Sequence, residues 1–161
     1  MDSRPPVVAC LFYRDPIAAM RWLEQAFGCE TAELVVDGEG RVAHAEVSFR
    51  GCPIDIAGEW NGPQVAGLPM RSPQSLAGAN SQFLRLAVEG GLDELCRRAR
   101  EAGARISQEP EDQFYGARTF RALDPEGHVW NFAQAIAQPS VAEMEAASGL
   151  RFYAPLQGAG S

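Results

Sequence analysis

A chain of 161 residues makes one domain of ordinary size, or two small modules sharing a core, and is long enough to bury a substantial apolar interior. Its formal net charge of −7, with 21 acidic side chains against 14 basic ones that are all Arg, argues against nucleic acid as a partner. No apolar run approaches the roughly 20 residues of a membrane span, the opening "MDSRPPVVACLFYRDP" lacks a secretion-signal pattern, and Cys10, Cys29, Cys52 and Cys96 show no C-x-x-C or Cys/His spacing, so a reduced, cytoplasmic protein is expected.

In chain order, "VVACLFY" (7–13) reads as a buried strand. Asp15 and Pro16 then supply an N-cap and a first helical position for a helix with Ala19, Trp22, Leu23, Ala26 and Phe27 on one face, and Gly28 ends it. "TAELVVD", "RVAHAEVSF" and "CPIDIAG" follow as three short strands. Residues 58–81 are rich in Gly, Pro and Ser and read as a linker. The same order then recurs: the strand "FLRLAV", a helix burying Leu92, Leu95, Cys96 and Ala99, and the strands "ARISQEP", "ARTFRAL" and "HVWNFAQ". The tail "PSVAEMEAASGL" carries a capping box, Ser140 with Glu143, and Gly149 as terminator, which predicts a short helix with Val141 and Met144 packed down.

The two halves superpose. Gly28 and Gly103 stand 75 residues apart, whereas "GCPIDIA" from Gly51 and "GHVWNFA" from Gly127 stand 76 apart, one extra residue separating the two offsets. Two βαβββ modules are expected, at 7–57 and 82–134, joined by the 58–81 linker and followed by a tail at 135–161.

The paired modules, the "FYRDP" opening and the "YGARTFRALDPEGHVWNFAQ" close resemble the vicinal oxygen chelate superfamily, which holds glyoxalase I, extradiol dioxygenases, fosfomycin-resistance enzymes and bleomycin-resistance proteins. The likeness covers about residues 7–134 and implies an α+β fold in which two βαβββ modules pair into curved sheets around a cavity. It also implies a homodimer. The scaffold hosts unrelated chemistries, so it does not fix an activity.

Strand alternation selects the side chains that line such a cavity. Leu84, Leu86 and Val88 suit the helix layer, which leaves Phe83, Arg85 and Ala87 on the other face; by the same count His44, Glu46 and Ser48 oppose Ala43, Ala45, Val47 and Phe49. Trp130 and Phe132 face the helix and Asn131 faces inward, as does Asp55 through the repeat; Arg118 and Phe120 are expected to join them. Trp60 in the linker and Tyr115 in the "DQFYG" loop, with Phe12, are candidate walls. His44 reads equally well as an edge residue. His128 reads as structural, and Asp124-Pro125-Glu126-Gly127 as a turn.

Metal-using members of the superfamily place one ligand early in the first strand of each module and a carboxylate late in the fourth. The resemblance puts those places at Val8, Asp55, Phe83 and Asn131, and only Asp55 is a plausible ligand. Neither metal nor cofactor is therefore expected. The leading expectation is a metal-independent small-molecule binding protein, for sequestration or resistance, with His44, Glu46, Asp55, Trp60, Phe83, Arg85, Tyr115, Arg118, Phe120 and Asn131 as binding residues. The alternative is a lyase or isomerase of the glyoxalase class, with His44, Glu46 and Asp55 in acid-base roles on a small metabolite or glutathione adduct.

Overall fold

The computed structural model describes Pro5, residues 7–59 and residues 67–153. The first half folds as β1 (Ala9–Tyr13), α1 (Pro16–Phe27), β2 (Glu30–Val36), β3 (Val42–Phe49) and β4 (Cys52–Gly58). The second half repeats it as β5 (Leu84–Val88), α2 (Leu92–Glu101), β6 (Arg105–Asp112), β7 (Ala117–Leu123) and β8 (Val129–Ala135), followed by α3 (Val141–Ser148). Each half is a four-stranded mixed sheet, in the orders β1-β4-β3-β2 and β5-β8-β7-β6, and in each the first strand runs parallel to the fourth. The expected α+β fold of two βαβββ units is thus present, although the two sheets do not join or close.

Local chemistry sets the helix limits. The Asp15 carboxylate accepts from the Ala18 backbone N–H at 2.9 Å, and Gly28 closes α1 at φ 71°, a left-handed conformation that costs glycine little. Arg98 of α2 then donates to the Gln25 and Glu24 carbonyls at 2.6 and 2.8 Å, which places a cation on the carbonyl end of α1. In return Trp22 of α1 donates from Nε1 to the Ala102 carbonyl beyond α2 at 2.7 Å. Trp22 is therefore only partly buried, and Met20 joins Ala19, Leu23, Ala26 and Phe27 as the buried stripe of α1.

The helices and the apolar faces of both sheets share one core. Phe27 of α1 lies 5.1 and 4.8 Å, centroid to centroid, from Trp130 and Phe132 of β8, and Phe49 of β3 lies 5.5 Å from Phe132. These contacts join the halves through their helix-lined faces. Among the described residues, the polar faces of the two sheets consequently lie outside this common core. Among the described residues, α3 buries nothing: Val141 is 52% exposed and Met144 half-buried, so the tail helix stands on its capping box rather than on the packing expected of it.

Candidate ligand-binding site

Register turns the repeat into two equivalent rows of side chains on the polar faces. In the first sheet Cys10 pairs with Asp55, Asp55 with Glu46, and Glu46 with Glu33. In the second, Arg85 pairs with Asn131, Asn131 with Arg121, and Arg121 with Gln108. Strands about 4.8 Å apart give each row a reach of roughly 15 Å. One row is acidic and the other basic.

On the acidic row Asp55 and Glu46 are half-buried, and Asp55 Oδ1 is shut off from water without a hydrogen bond. Cys10 is open at the face, yet burial first and the Asp55 carboxylate second push its thiol up. His44 stands two pairs along, opposite Val35, with Nε2 3.4 Å from Glu33 Oε2, and both side chains are substantially exposed. The structure therefore sets His44 beside the edge strand, in contact with Glu33. Phe12 lines a separate cavity of about 290 Å³ with Cys10, Met70, Pro73 and His128, formed where residues 70–82 cross β1.

The basic row is built differently. Asn131 is only 7% exposed, and its Oδ1 makes no hydrogen bond; beside it, Arg121 Nε is also buried and unbonded. Arg85 Cζ sits 5.6 Å from the Tyr115 ring centroid and Arg121 Cζ 5.8 Å from that of Phe83, so each guanidinium rests against an aromatic face. Among the described residues neither Arg has a carboxylate within ion-pair distance, whereas Arg41, Arg97, Arg100, Arg118 and Arg151 all do. A cavity of about 350 Å³ adjoins the row, between the Asn80–Phe83 segment, Ser107, Arg121 and Val129.

Two expected cavity residues lie on the opposite face. Phe120 is fully buried and stacks on Phe132 at 4.9 Å, and Arg118 pairs with Asp93 at the start of α2 at 3.0 Å and with Asp112 at 2.7 Å. The inward face of β7 thus carries Thr119 and Arg121 rather than the expected Arg118 and Phe120. The repeat itself carries the correct signal: an offset of 75 takes His44, Glu46 and Ser48 to Thr119, Arg121 and Leu123, which identifies Arg121. Trp60 lies outside the described residues.

The Asp124 turn is more than a turn. Its backbone accepts from Gly127 N–H as a tight turn requires, but the buried carboxylate also receives Tyr13 Oη at 2.7 Å, Trp130 Nε1 at 3.1 Å, and the backbone N–H groups of Glu126 and His128, each at 3.0 Å. Burial alone would raise this carboxyl, yet the His128 imidazole, with Nδ1 3.2 Å from Oδ2, and the bonds from Tyr13 and Trp130 prevail and hold it below the usual range. Glu126 extends the link to the first half by accepting from the Arg14 and Asp15 backbone N–H groups. His128, buried against Tyr13 with ring centroids 4.3 Å apart, belongs to this structural tie.

At the four places where the resemblance locates metal donors, the Val8 and Phe83 side chains carry no lone pairs and Asn131 offers only a neutral amide, which leaves Asp55 as the single carboxylate. This donor set does not fit a metal ion.

Comparison with known proteins follows this architecture. The family model described as Glyoxalase/Bleomycin resistance protein/Dioxygenase superfamily matches residues 6–132. An uncharacterised protein of Mycobacterium bovis is 28% identical over 147 residues, covering 91% of this chain and 94% of its own length. Among solved structures, TioX from Micromonospora sp. ML1 is similar with a TM-score of 0.61 and 25% identity over 81% of this chain and 98% of its own. The fosfomycin resistance protein FosX from Listeria monocytogenes shares the fold with a TM-score of 0.58 at 15% identity, over 89% of this chain and 99% of its own.

Proposed function

The chain belongs to the Glyoxalase/Bleomycin resistance protein/Dioxygenase superfamily, and from that premise we propose that it is a metal-independent small-molecule binding protein of the sequestration or resistance kind. The observation that carries this reading is the basic row: a buried, unbonded acceptor on Asn131 and donor on Arg121, beside the Phe83 ring, which remains open to solvent. Buried polar atoms left without partners are costly to a fold that gains nothing from them, and a bound molecule supplies those partners. The donor set described above argues against a resident metal. Four free cysteines suit the cytoplasm.

A second copy completes the site in this reading. Because the halves of one chain meet through their helix-lined faces, a ligand is enclosed when the acidic row of one copy stands across from the basic row of another. Opposite charges favour that pairing, and the wholly exposed edge strand β2, with Leu34, Val35 and Val36 open to water, is a surface that a two-fold interface covers. Light scattering at tens of micromolar is expected to give twice the 17.4 kDa chain mass.

The deciding experiment is a thermal-shift screen of metabolites and antibiotics on wild-type protein and on Arg85→Ala, paired with elemental analysis after dialysis. Expected are a ligand-dependent rise in Tm without turnover, binding weaker by about ten-fold to a hundred-fold in the variant, little change in its unliganded Tm, and no stoichiometric Zn, Ni, Fe or Mn. A chelator-removable ion required for activity would overturn the reading. One observation supports an acid-base lyase or isomerase as the second reading: the unbonded, buried Asp55 Oδ1 beside Glu46 is placed to take a proton. Turnover of a glutathione adduct that Asp55→Asn abolishes would favour it.

A further inference from the structure

We infer that the basic row is a subsite for an α-hydroxy carboxylate, with Arg121 and Arg85 taking the carboxylate, Asn131 taking the hydroxyl, and Phe83 and Tyr115 flanking the substituent. The inference rests on the binding-protein reading above and narrows it to a ligand class.

Three features of the row decide the chemistry. First, Arg85 and Arg121 flank Asn131 from either side on β5 and β7, and among the described residues their positive charges meet aromatic rings and no carboxylate, in a chain where acidic residues outnumber basic ones 21 to 14. A guanidinium stacked on a ring keeps its edge N–H groups free to donate, and two such groups on one row favour an anion between them. Second, the unbonded atoms are of opposite kind. Arg121 Nε can only donate and Asn131 Oδ1 can only accept, and the residues bearing them are direct cross-strand partners. A molecule that satisfies both must present an acceptor and a donor on neighbouring atoms. A carboxylate alone supplies only acceptors, and a hydroxyl on the adjacent carbon supplies the missing donor. An α-ammonium would also donate, but it would place a cation between two guanidinium groups. Third, Phe83 is 55% exposed and borders the 350 Å³ cavity, so the substituent has an apolar wall to lie against.

Isothermal titration of the intact chain with 3-phenyllactate, 3-phenylpropionate, which lacks the hydroxyl, and the neutral amide of phenyllactate tests the assignment. The expected order is phenyllactate tightest, with loss of the hydroxyl or of the charge each weakening binding by roughly ten-fold or more. Arg121→Met is expected to remove phenyllactate binding, whereas Arg105→Gln, which removes an exposed positive charge outside the row, leaves it unchanged. Asn131→Asp separates ligand recognition from folding. An internal carboxylate between the two Arg side chains should abolish anion binding while holding or raising the Tm, a combination that a purely structural role for the row does not produce. Equal affinity for acid and amide, or wild-type affinity in Arg121→Met, overturns the assignment and leaves the binding-protein reading in place. Failure of all three probes to bind also overturns it, and the broader reading falls with it only if the thermal-shift screen is empty as well.

Discussion

The first and second sheets are copies of one design that differ in the charge of a single row. At places related by 75 or 76 residues, Cys10, Asp55, Glu46 and Glu33 stand where Arg85, Asn131, Arg121 and Gln108 stand in the other half. The apolar faces were kept alike, because both must pack on the same paired helices; the polar faces were free to diverge, because neither supports the core. A duplicated scaffold thus separates what it must preserve from what it can specialise. On the proposed reading, a ligand held between an acidic wall and a basic wall would be recognised at both ends.

The halves also differ in how they hold each other, and breaking that tie carries the largest expected effect. Asp124 belongs to the second half but binds Tyr13 of the first, and in the repeat its place is taken by Phe49, so the lock is one-sided. Asp124→Ala strands Tyr13 Oη, Trp130 Nε1 and two backbone donors in the interior and is expected to cost about 3–5 kcal/mol in denaturant unfolding. The pH dependence has a definite sign. Because the folded carboxyl lies below its usual range, its contribution is complete above the unfolded-state value near 4 and is lost as pH falls through the folded value. Wild type should therefore lose stability below about pH 4, and Asp124→Asn should lose less of its own over the same interval. An equal loss in both would place the acid sensitivity elsewhere.

The fold was legible because it is written in local signals that agree with one another: period-two alternation, the Asp15-Pro16 helix start, the glycine stops, and their recurrence at a fixed offset. The site was legible only in part. Arg85, Asp55, Glu46 and Asn131 lie on the faces that alternation assigns them, since each sits between buried neighbours. Alternation failed in β7, where "ARTFRAL" offers an Arg on both faces and Thr119 is as buried as Phe120. The hydrophobic pattern there fixes no parity, and only the pairing to β8 does. The role of Asp124 was hidden for another reason: a turn signature says nothing about what lies 111 residues away in sequence.

A smaller effect separates the β2–β3 and β6–β7 turns. Gly116 adopts φ 81° and Gly40 φ 78°, so a side chain at either position meets backbone strain of about 1 kcal/mol. A Cβ at Gly116 would in addition collide with the Ala137 carbonyl and the Pro139 ring, whereas nothing lies near one at Gly40. Gly116→Ala should therefore destabilise by about 1–3 kcal/mol more than Gly40→Ala in thermal unfolding. It should also weaken ligand binding, since the neighbouring Tyr115 supports Arg85. Equal costs at the two glycines would mean that the 137–139 segment yields, and that the second loop is no more firmly anchored than the first.

The finest test of the two rows is the reactivity of Cys10. Its thiol is pushed up chiefly by burial and next by Asp55, so removing that carboxylate should restore part of its acidity. In a Cys52→Ser background Cys10 is the one exposed cysteine among the described residues, because Cys29 and Cys96 are buried. Asp55→Asn is then expected to speed alkylation by iodoacetamide at pH 8 by roughly two-fold to three-fold, because more of the thiol is ionised once the neighbouring carboxylate is gone. Salt discriminates between the two causes. Screening shortens the reach of Asp55 but leaves desolvation untouched, so at about 1 M salt the two proteins should react at more nearly equal rates while both stay slower than a free thiol. A difference that persists undiminished in salt would show that Asp55 acts by shaping the surroundings of Cys10 rather than through its charge, and the acidic row would then have no field with which to meet a basic one.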